Sequence, residues 1–371
     1  MIIRASISII VPTCNRADLI GETIESVLAQ TCPDWELIIV DDHSTDNTDE
    51  VIASFAQRDG RIRYFKRDSK HRGAPVCRNE GVQHSAGEYL VFIDSDDLLA
   101  AGCIRLRREL LAAHKNLDVL VCQTGVFNET PGDLNLVVNR LDHESDLDQF
   151  IACNNTWFTT GPTWKREFFE KIGGWDEDLP CWQEWELTIR ALAHSPRFVK
   201  QNVIDSFFRI GDNNRKRVYS PGPKYLCGSL KAITRAYTVL QSESALDKKR
   251  TSLMRLHLSK TLITLCRYGF FKHALPWIRE YRPLLTNSGL WRERDLLRES
   301  GKIFASLLAI RLASFSEKIM KFAELRLVSL PECGFRDVAE CSKLGNLDKV
   351  SACGIPFASS KRNQLGPSAS K

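Results

Sequence analysis

The stretch Val91-Phe92-Ile93-Asp94-Ser95-Asp96-Asp97 runs from apolar chain straight into three carboxylates. With Tyr89 and Leu90 ahead of it, the apolar part has the length and character of a short strand buried on both faces. The acids then fall at the C-terminal end of that strand, where open α/β sheets bind ligands. Three neighbouring carboxylates repel one another. A hard divalent cation, Mg²⁺ or Mn²⁺, resolves the repulsion because it takes oxygen ligands and also bridges phosphates. Taken alone, the same residues also describe a solvated acidic turn with a helix cap.

The chain on either side chooses between these readings. Residues 6–11 are a β-branched apolar run ended by Pro12 and predict a first buried strand. Asp18 can cap a helix reaching to Gln30, with Leu19, Ile20, Ile24, Val27 and Leu28 on one stripe. Residues 36–40 predict a second strand, which ends in Asp41-Asp42. Asp46 opens a further helix with Val51, Ile52 and Phe55 inward, residues 61–65 predict a third strand, and Pro75 begins the helix that carries Arg78-Asn79-Glu80-Gly81. Residues 88–93 are the fourth strand. Strands alternating with helices over about ninety residues mean a parallel α/β sheet with right-handed crossovers. Both acidic clusters then face one crevice.

Beyond the acids, residues 101–114 predict a helix and residues 118–126 a strand, while 131–145 read as a polar loop. Residues 165–172 lead into Gly173-Gly174-Trp175-Asp176-Glu177. Residues 182–193 predict a helix with Trp185, Ile189 and Leu192 as its apolar stripe, and 198–210 predict a last core strand. From Lys224 the pattern becomes helix after helix, over 224–241, 246–268, 270–284 and 291–320. Residues 332–371 hold few large apolar side chains and predict a disordered tail. The expected organisation is an α/β domain over 1–215, a basic helical region over 216–330 and the tail over 331–371.

Composition narrows the setting. The twelve cysteines are scattered without a C-x-x-C pair, and Cys333, Cys341 and Cys353 lack zinc-like spacing. The apolar start is too short for a secretory leader and no apolar run reaches about eighteen residues, so a cytoplasmic protein with reduced thiols and no membrane span is expected. Charge is unevenly divided: residues 1–210 sum to −11 and residues 211–371 to +16. No stacking motif or nucleic-acid-binding signature accompanies the basic half, so nucleic acid is not expected as a partner. The apolar segment 303–315, flanked by Lys302, Lys318, Lys321 and Arg326, suits a helix lying on an anionic membrane surface, or one packed on its neighbours.

Six motifs in order carry a resemblance: Val11-Pro12-Thr13-Cys14-Asn15-Arg16, Val40-Asp41-Asp42-His43-Ser44-Thr45-Asp46, Arg78-Asn79-Glu80-Gly81, Asp94-Ser95-Asp96-Asp97, Gly173-Gly174-Trp175-Asp176-Glu177 and Gln183-Glu184-Trp185-Glu186. Together they resemble the family 2 glycosyltransferases over roughly the first 210 residues. The resemblance implies a GT-A fold, a mostly parallel sheet flanked by helices, here with a C-terminal helical extension. It also implies an inverting transfer from a nucleotide-diphosphate sugar to a glycan or glycolipid acceptor, in cell-surface polysaccharide synthesis.

The resemblance assigns roles by position. Asp42, with Asp41 beside it, would accept from the N–H of a uracil base. Pro12, Thr13, Asn15 and Arg16 would line the same crevice. Asp94 and Ser95 would face the ribose and nucleotide, and Asp96 would hold the divalent metal across the two phosphates. Asp97 joins them or caps the following helix. Arg78 and Asn79 hold either the diphosphate or the acidic loop. Gly174 lets backbone approach the sugar, Asp176 would bond a sugar hydroxyl, and Trp175 and Trp185 offer apolar platforms or core packing. An inverting transfer needs a carboxylate to take the acceptor proton. Glu184 stands where many relatives carry Asp, and Glu186 is the neighbouring candidate. Cys14 stands where the family often has Tyr, and Gly211 where many relatives carry His.

Two other classes compete. A nucleotidyltransferase also uses an α/β fold and acidic metal sites, but no Gly-rich, Lys-bearing loop follows the first strand. A non-catalytic nucleotide-sugar-binding module would keep the fold and release no product.

Overall fold

The computed structural model describes residues 6–138, 140–210 and 222–267, together with residues 273, 276, 342 and 343. Its first half alternates strand and helix: β1 (Ile7–Thr13), α1 (Ile20–Leu28), β2 (Trp35–Asp41), α2 (Thr48–Ala56), β3 (Ile62–Lys66), α3 (Ala74–His84) and β4 (Tyr89–Phe92). These four strands are parallel and ordered β3-β2-β1-β4. Side chains of β1 alternate between two cores, with Ile9 and Val11 facing α1 and α2 and Ile10 facing the opposite layer. That is why the strand sequence is apolar throughout. Pairing of β1 with β4 stops at Ile10–Phe92, so the missing N–H of Pro12 costs no ladder bond on that side. The chain leaves β4 at this point as the acidic loop.

The second half is mixed. It comprises β5 (Leu98–Leu99), α4 (Cys103–Ala113), β6 (Val119–Phe127), β7 (Leu136–Val137), α5 (Asp146–Ile151), β8 (Pro162–Lys165), α6 (Arg166–Lys171), α7 (Gln183–Ala193) and β9 (Phe198–Arg209). Strand β8 is antiparallel to both β4 and β6 and wedges between them, while β9 runs parallel to β6. The two residues of β10 (Ser342–Lys343) pair with β7. The result is the expected α/β class, a mixed sheet flanked by helices, with its parallel half carrying the acids.

Some local expectations fail for identifiable reasons. Asp18 does not cap α1, whose first N–H groups turn back to the Arg16 carbonyl. Residues 131–145 include β7, and α5 and β8 went unpredicted. The tetrad Pro162-Thr163-Trp164-Lys165 has neither the length nor the alternation that marks a strand.

Helices α8 (Pro223–Ser242) and α9 (Lys248–Arg267) match two of the expected helices. Leu226, Leu230, Ile233, Tyr237 and Leu240 of α8, with Met254, Leu258 and Leu262 of α9, are buried in the same core as Phe92, Trp175 and Trp185. These helices therefore share a core with the sheet. The expected boundary at 215, most of the helices over 270–284 and 291–320, the apolar segment 303–315 and most of the 331–371 tail lie outside the described residues. Among the described residues, no helix is long and apolar enough to cross a membrane.

Candidate active site

The crevice opens at the C-terminal ends of β1, β2 and β4. On its β2 side, buried Asp41 is fully engaged. Its Oδ1 accepts from the backbone N–H and hydroxyl of Ser44, and its Oδ2 from Tyr64 Oη at 2.7 Å. Burial, then the Asp41 carboxylate, pushes the Tyr64 phenol well up, so it stays a donor. Asp42 sits beside it: Oδ1 accepts from Arg67 at 3.0 Å and Oδ2 from the Gly73 N–H at 2.8 Å. Thr13 is buried and its carbonyl accepts from the Asp42 N–H, which fixes the two strand ends together. Asn15, in the left-handed region at φ +53°, accepts at Oδ1 from the Thr45 N–H and so orders the turn. Cys14 stands exposed beside it, its thiol pushed up by partial burial and then by Asp42 and Asp41.

The acidic loop is gripped by arginines. Arg78 of α3 is buried and donates to Asp94 Oδ1 at 2.7 Å. Ser95 is buried, and Asp96 lies 3.7 Å from Arg16. Arg209, at the end of β9, donates its backbone N–H to Asp97 Oδ1, its Nε to the Asp96 carbonyl at 2.9 Å, and its guanidinium to Glu22 of α1 at 2.6 Å. Asp97 therefore ties the loop to β9 and caps no helix. Its second oxygen is buried without a hydrogen-bond partner. Burial first, then the charges of Asp94 and Asp96, hold its carboxyl well above the ordinary range.

Across the crevice, α7 presents Glu184. This side chain is 32% exposed, accepts from Thr159 Oγ1 at 3.3 Å and lies 3.6 Å from Arg78 Nη1. Glu186 points the other way, as a two-residue step on a helix requires. It is 2% exposed and both of its oxygens accept from Arg190, at 2.9 and 2.7 Å. Of the two acids named from sequence, only Glu184 faces the crevice.

The segment between the two glycines and α7 is held rather than open. Asn79 accepts from the Trp175 N–H at 2.9 Å and donates to the Trp175 carbonyl at 2.8 Å and to Glu177 at 2.9 Å. Gly174 has φ +66°, and a Cβ there would stand 2.9 Å from Asn79 Oδ1. Its lack of a side chain serves the asparagine clamp. Trp175 is buried, edge-on to Phe92 with ring centroids 5.2 Å apart, and its face lies 4.4 Å from the Arg78 guanidinium carbon. Trp185 is buried and donates its indole N–H to the Phe150 carbonyl at 2.6 Å. Both tryptophans thus pack in the core. Asp176 pairs with Arg235 of α8, and the same arginine reaches Asp178 at 2.9 Å. Arg78 and Asn79 act within the protein on the acidic loop and the glycine–tryptophan segment respectively.

The acidic loop fits a divalent cation. Its donors are hard oxygens: the Asp94 side chain is 35% exposed close to Asp96, and one oxygen of the neighbouring Asp97 is buried without a hydrogen-bond partner. Among the described residues, no cluster of three or more acid, histidine or cysteine side chains is arranged to hold a metal by itself. A divalent ion such as Mg²⁺ commonly uses one or two carboxylates and completes its shell with substrate phosphates and water.

Sequence reasoning passed over Arg209, Arg67, Tyr64 and Arg235. A lone arginine inside the apolar run Phe207-Phe208-Arg209-Ile210 was the available signal, since a cation on a buried strand needs an acidic partner.

Residues 8–173 match the family model described as glycosyl transferase family 2. Glycosyltransferase GlyG of Streptococcus pneumoniae is 32% identical over 136 residues, covering 37% of this chain and 44% of the relative. The GalNAc(5)-diNAcBac-PP-undecaprenol beta-1,3-glucosyltransferase of Campylobacter jejuni is 37% identical over 98 residues, 26% of this chain and 32% of the relative. The chain spans less than half the length of either curated relative. Among solved structures, residues 1–349 of S. aureus TarS in complex with UDP-GlcNAc superpose with a TM-score of 0.53 at 16% identity, over 85% of this chain and 82% of that one. This last likeness is one of fold.

Proposed function

We propose that this glycosyl transferase family 2 region, completed by Glu184, is an inverting glycosyltransferase. It moves a sugar from a nucleoside-diphosphate sugar, UDP-linked as in the TarS complex, to a hydroxyl of a glycan or glycolipid. The glycolipid class follows the polyprenyl-linked acceptor in the Campylobacter relative's name, and the setting is cell-surface polysaccharide synthesis on the cytoplasmic side of a membrane. The observation that carries the reading is Arg78. Its guanidinium is bonded to Asp94 on the nucleotide side and lies 3.6 Å from Glu184 on the acceptor side. One buried cation thereby fixes the distance between leaving group and base.

The chemistry follows from that spacing. Asp42 and the β1 end from Pro12 to Arg16 receive the nucleotide. Asp94 and Ser95 bound the ribose side. Asp96, with Asp94 beside it, would hold Mg²⁺ or Mn²⁺, which neutralises charge building on the diphosphate when bound. Glu184 takes the acceptor hydroxyl proton as its oxygen forms the new bond to the anomeric carbon and the bond from that carbon to the diphosphate breaks. Half-exposure suits Glu184 to this task, since an incoming acceptor must reach it. Glu186 is committed to Arg190.

The test is product analysis with a panel of UDP-sugars and Mn²⁺. Transfer releases nucleoside diphosphate and yields an acceptor of higher mass. Release of pyrophosphate would instead indicate a nucleotidyltransferase, and binding without release a non-catalytic module.

A further inference from the structure

We infer that Arg235 on α8 is a positioning residue for the acceptor side of the site, and that the C-terminal helical region is thereby part of the working transferase. This rests on the proposed reading of Glu184 as the base. Arg235 lies well beyond the matched residues 8–173, yet it grips the segment that leads from Gly174 into α7. Its two guanidinium nitrogens divide between Asp176 and Asp178, the latter at 2.9 Å. The same helix holds the rest of that segment. Tyr225 Oη accepts from the Trp182 indole N–H at 3.2 Å, and the Tyr225 carbonyl accepts from the Cys181 thiol at 3.1 Å. A Cβ at Gly228 would stand 2.5 Å from Pro180 Cγ and 2.9 Å from Cys181 Sγ, so α8 lies directly against the segment.

The opposite side of the segment is held by Asn79 of α3, through Trp175 and Glu177. The run from Gly174 to Trp182 is therefore clamped between a helix of the nucleotide half and a helix of the C-terminal region, and Glu184 follows two residues later. A charged fork is the right device for the outer clamp, because one planar guanidinium can engage two carboxylates where an ammonium is a point charge. Asp176 is in this arrangement an anchor for Arg235. Loosening the clamp leaves the nucleotide half intact and displaces the base, and small displacements of a catalytic group cost large factors in rate.

The experiment uses the full chain. Arg235→Ala should leave the affinity for the UDP-sugar, read by calorimetry, within about twofold, while acceptor-dependent kcat falls on the order of ten- to a hundredfold. Arg235→Lys should recover part of the loss. Gly228→Val, which pushes α8 off Pro180 by a different contact, should give the same split. Hydrogen exchange of backbone amides over residues 174–184 should rise in both variants and stay unchanged over residues 36–42. Unchanged kcat and unchanged exchange in Arg235→Ala would overturn the inference, as would equal losses of donor affinity and turnover. If the unsubstituted protein turns over no UDP-sugar, the transferase reading fails, and the exchange measurement still tests the clamp.

Discussion

Glu184 and Glu186 sit two positions apart on one helix and occupy opposite environments. The first is half-exposed over the crevice beside Arg78, and the second is buried with both oxygens on Arg190. Glu184→Gln keeps the shape and removes the proposed proton acceptor, so turnover should fall on the order of 10²–10⁴-fold with donor affinity retained. Glu186→Ala should act on stability instead. It leaves the Arg190 guanidinium without its carboxylate, a loss of about 3–5 kcal/mol for a buried pair. Steady-state kinetics and urea unfolding separate the two outcomes. Loss of turnover in a folded Glu186→Gln variant, with Glu184→Gln active, would reverse the assignment.

The acidic loop gives a second expectation. Asp96→Ala should abolish transfer and remove the Mn²⁺ dependence of donor binding. Asp94→Ala should weaken donor binding and also leave Arg78 without its nearest carboxylate, so its melting temperature should drop as well. Titration calorimetry with and without EDTA reads both effects, and full activity in EDTA would take the metal out of the reading.

Gly174 offers a test of the asparagine clamp. Gly174→Ala places a Cβ at a positive φ and 2.9 Å from Asn79 Oδ1, so it should cost about 1–3 kcal/mol in unfolding free energy. Asn79→Ala removes the facing atom. In that background the alanine should cost less, because only the backbone strain remains. Strict additivity of the two substitutions would mean that the contact carries no energy.

Docking of α9 should depend on acid. Asp148 of α5 accepts from Arg250 at 2.7 Å and Lys249 at 2.9 Å. Burial pushes its carboxyl up, but the hydrogen bonds from Arg250 and then Lys249 outweigh it, and the native value lies below the ordinary one. A carboxyl with a depressed native pKa stabilises the fold above its unfolded value, about 3.9, and loses that contribution as pH falls through the native value. Asp148→Asn should therefore cost up to about 1 kcal/mol at pH 7, the range for partly exposed ion pairs. The gap to wild type should close in acid. A gap that does not change with pH would assign the effect to packing.

The parallel half of the sheet was legible because its physics is local. Strands β1, β2 and β4 announce themselves as apolar runs ended by a polar cluster, and the acids at two of those ends mark the crevice. The antiparallel strand β8 was not legible, since four residues beginning with proline gain their strand conformation from β4 and β6 on either side. Among the site residues, the different surroundings of Glu184 and Glu186 became visible only with Arg190 in place. The two tryptophans read equally well as sugar platforms, and what buries them is α3, α5 and the helices after residue 222. Asp176 looked free because its partner Arg235 lies fifty-nine positions further on.

The wedge position of β8 also orders the birth of the molecule. Strand β4 has β1 on one side, and its other edge is covered only when residues 162–165 have been synthesised. Until then, a nascent chain that has completed all four parallel strands presents the β4 edge unpaired as well as the β3 edge, the kind of edge that recruits other strands. Strand β6 leaves the ribosome earlier but pairs with β8 rather than with β4. The two halves of the sheet are therefore joined by insertion of a short segment between two waiting strands, before half of the 371 residues have been made and ahead of β9. Substitutions in residues 162–165 should accordingly be felt first as lost yield of soluble protein during expression.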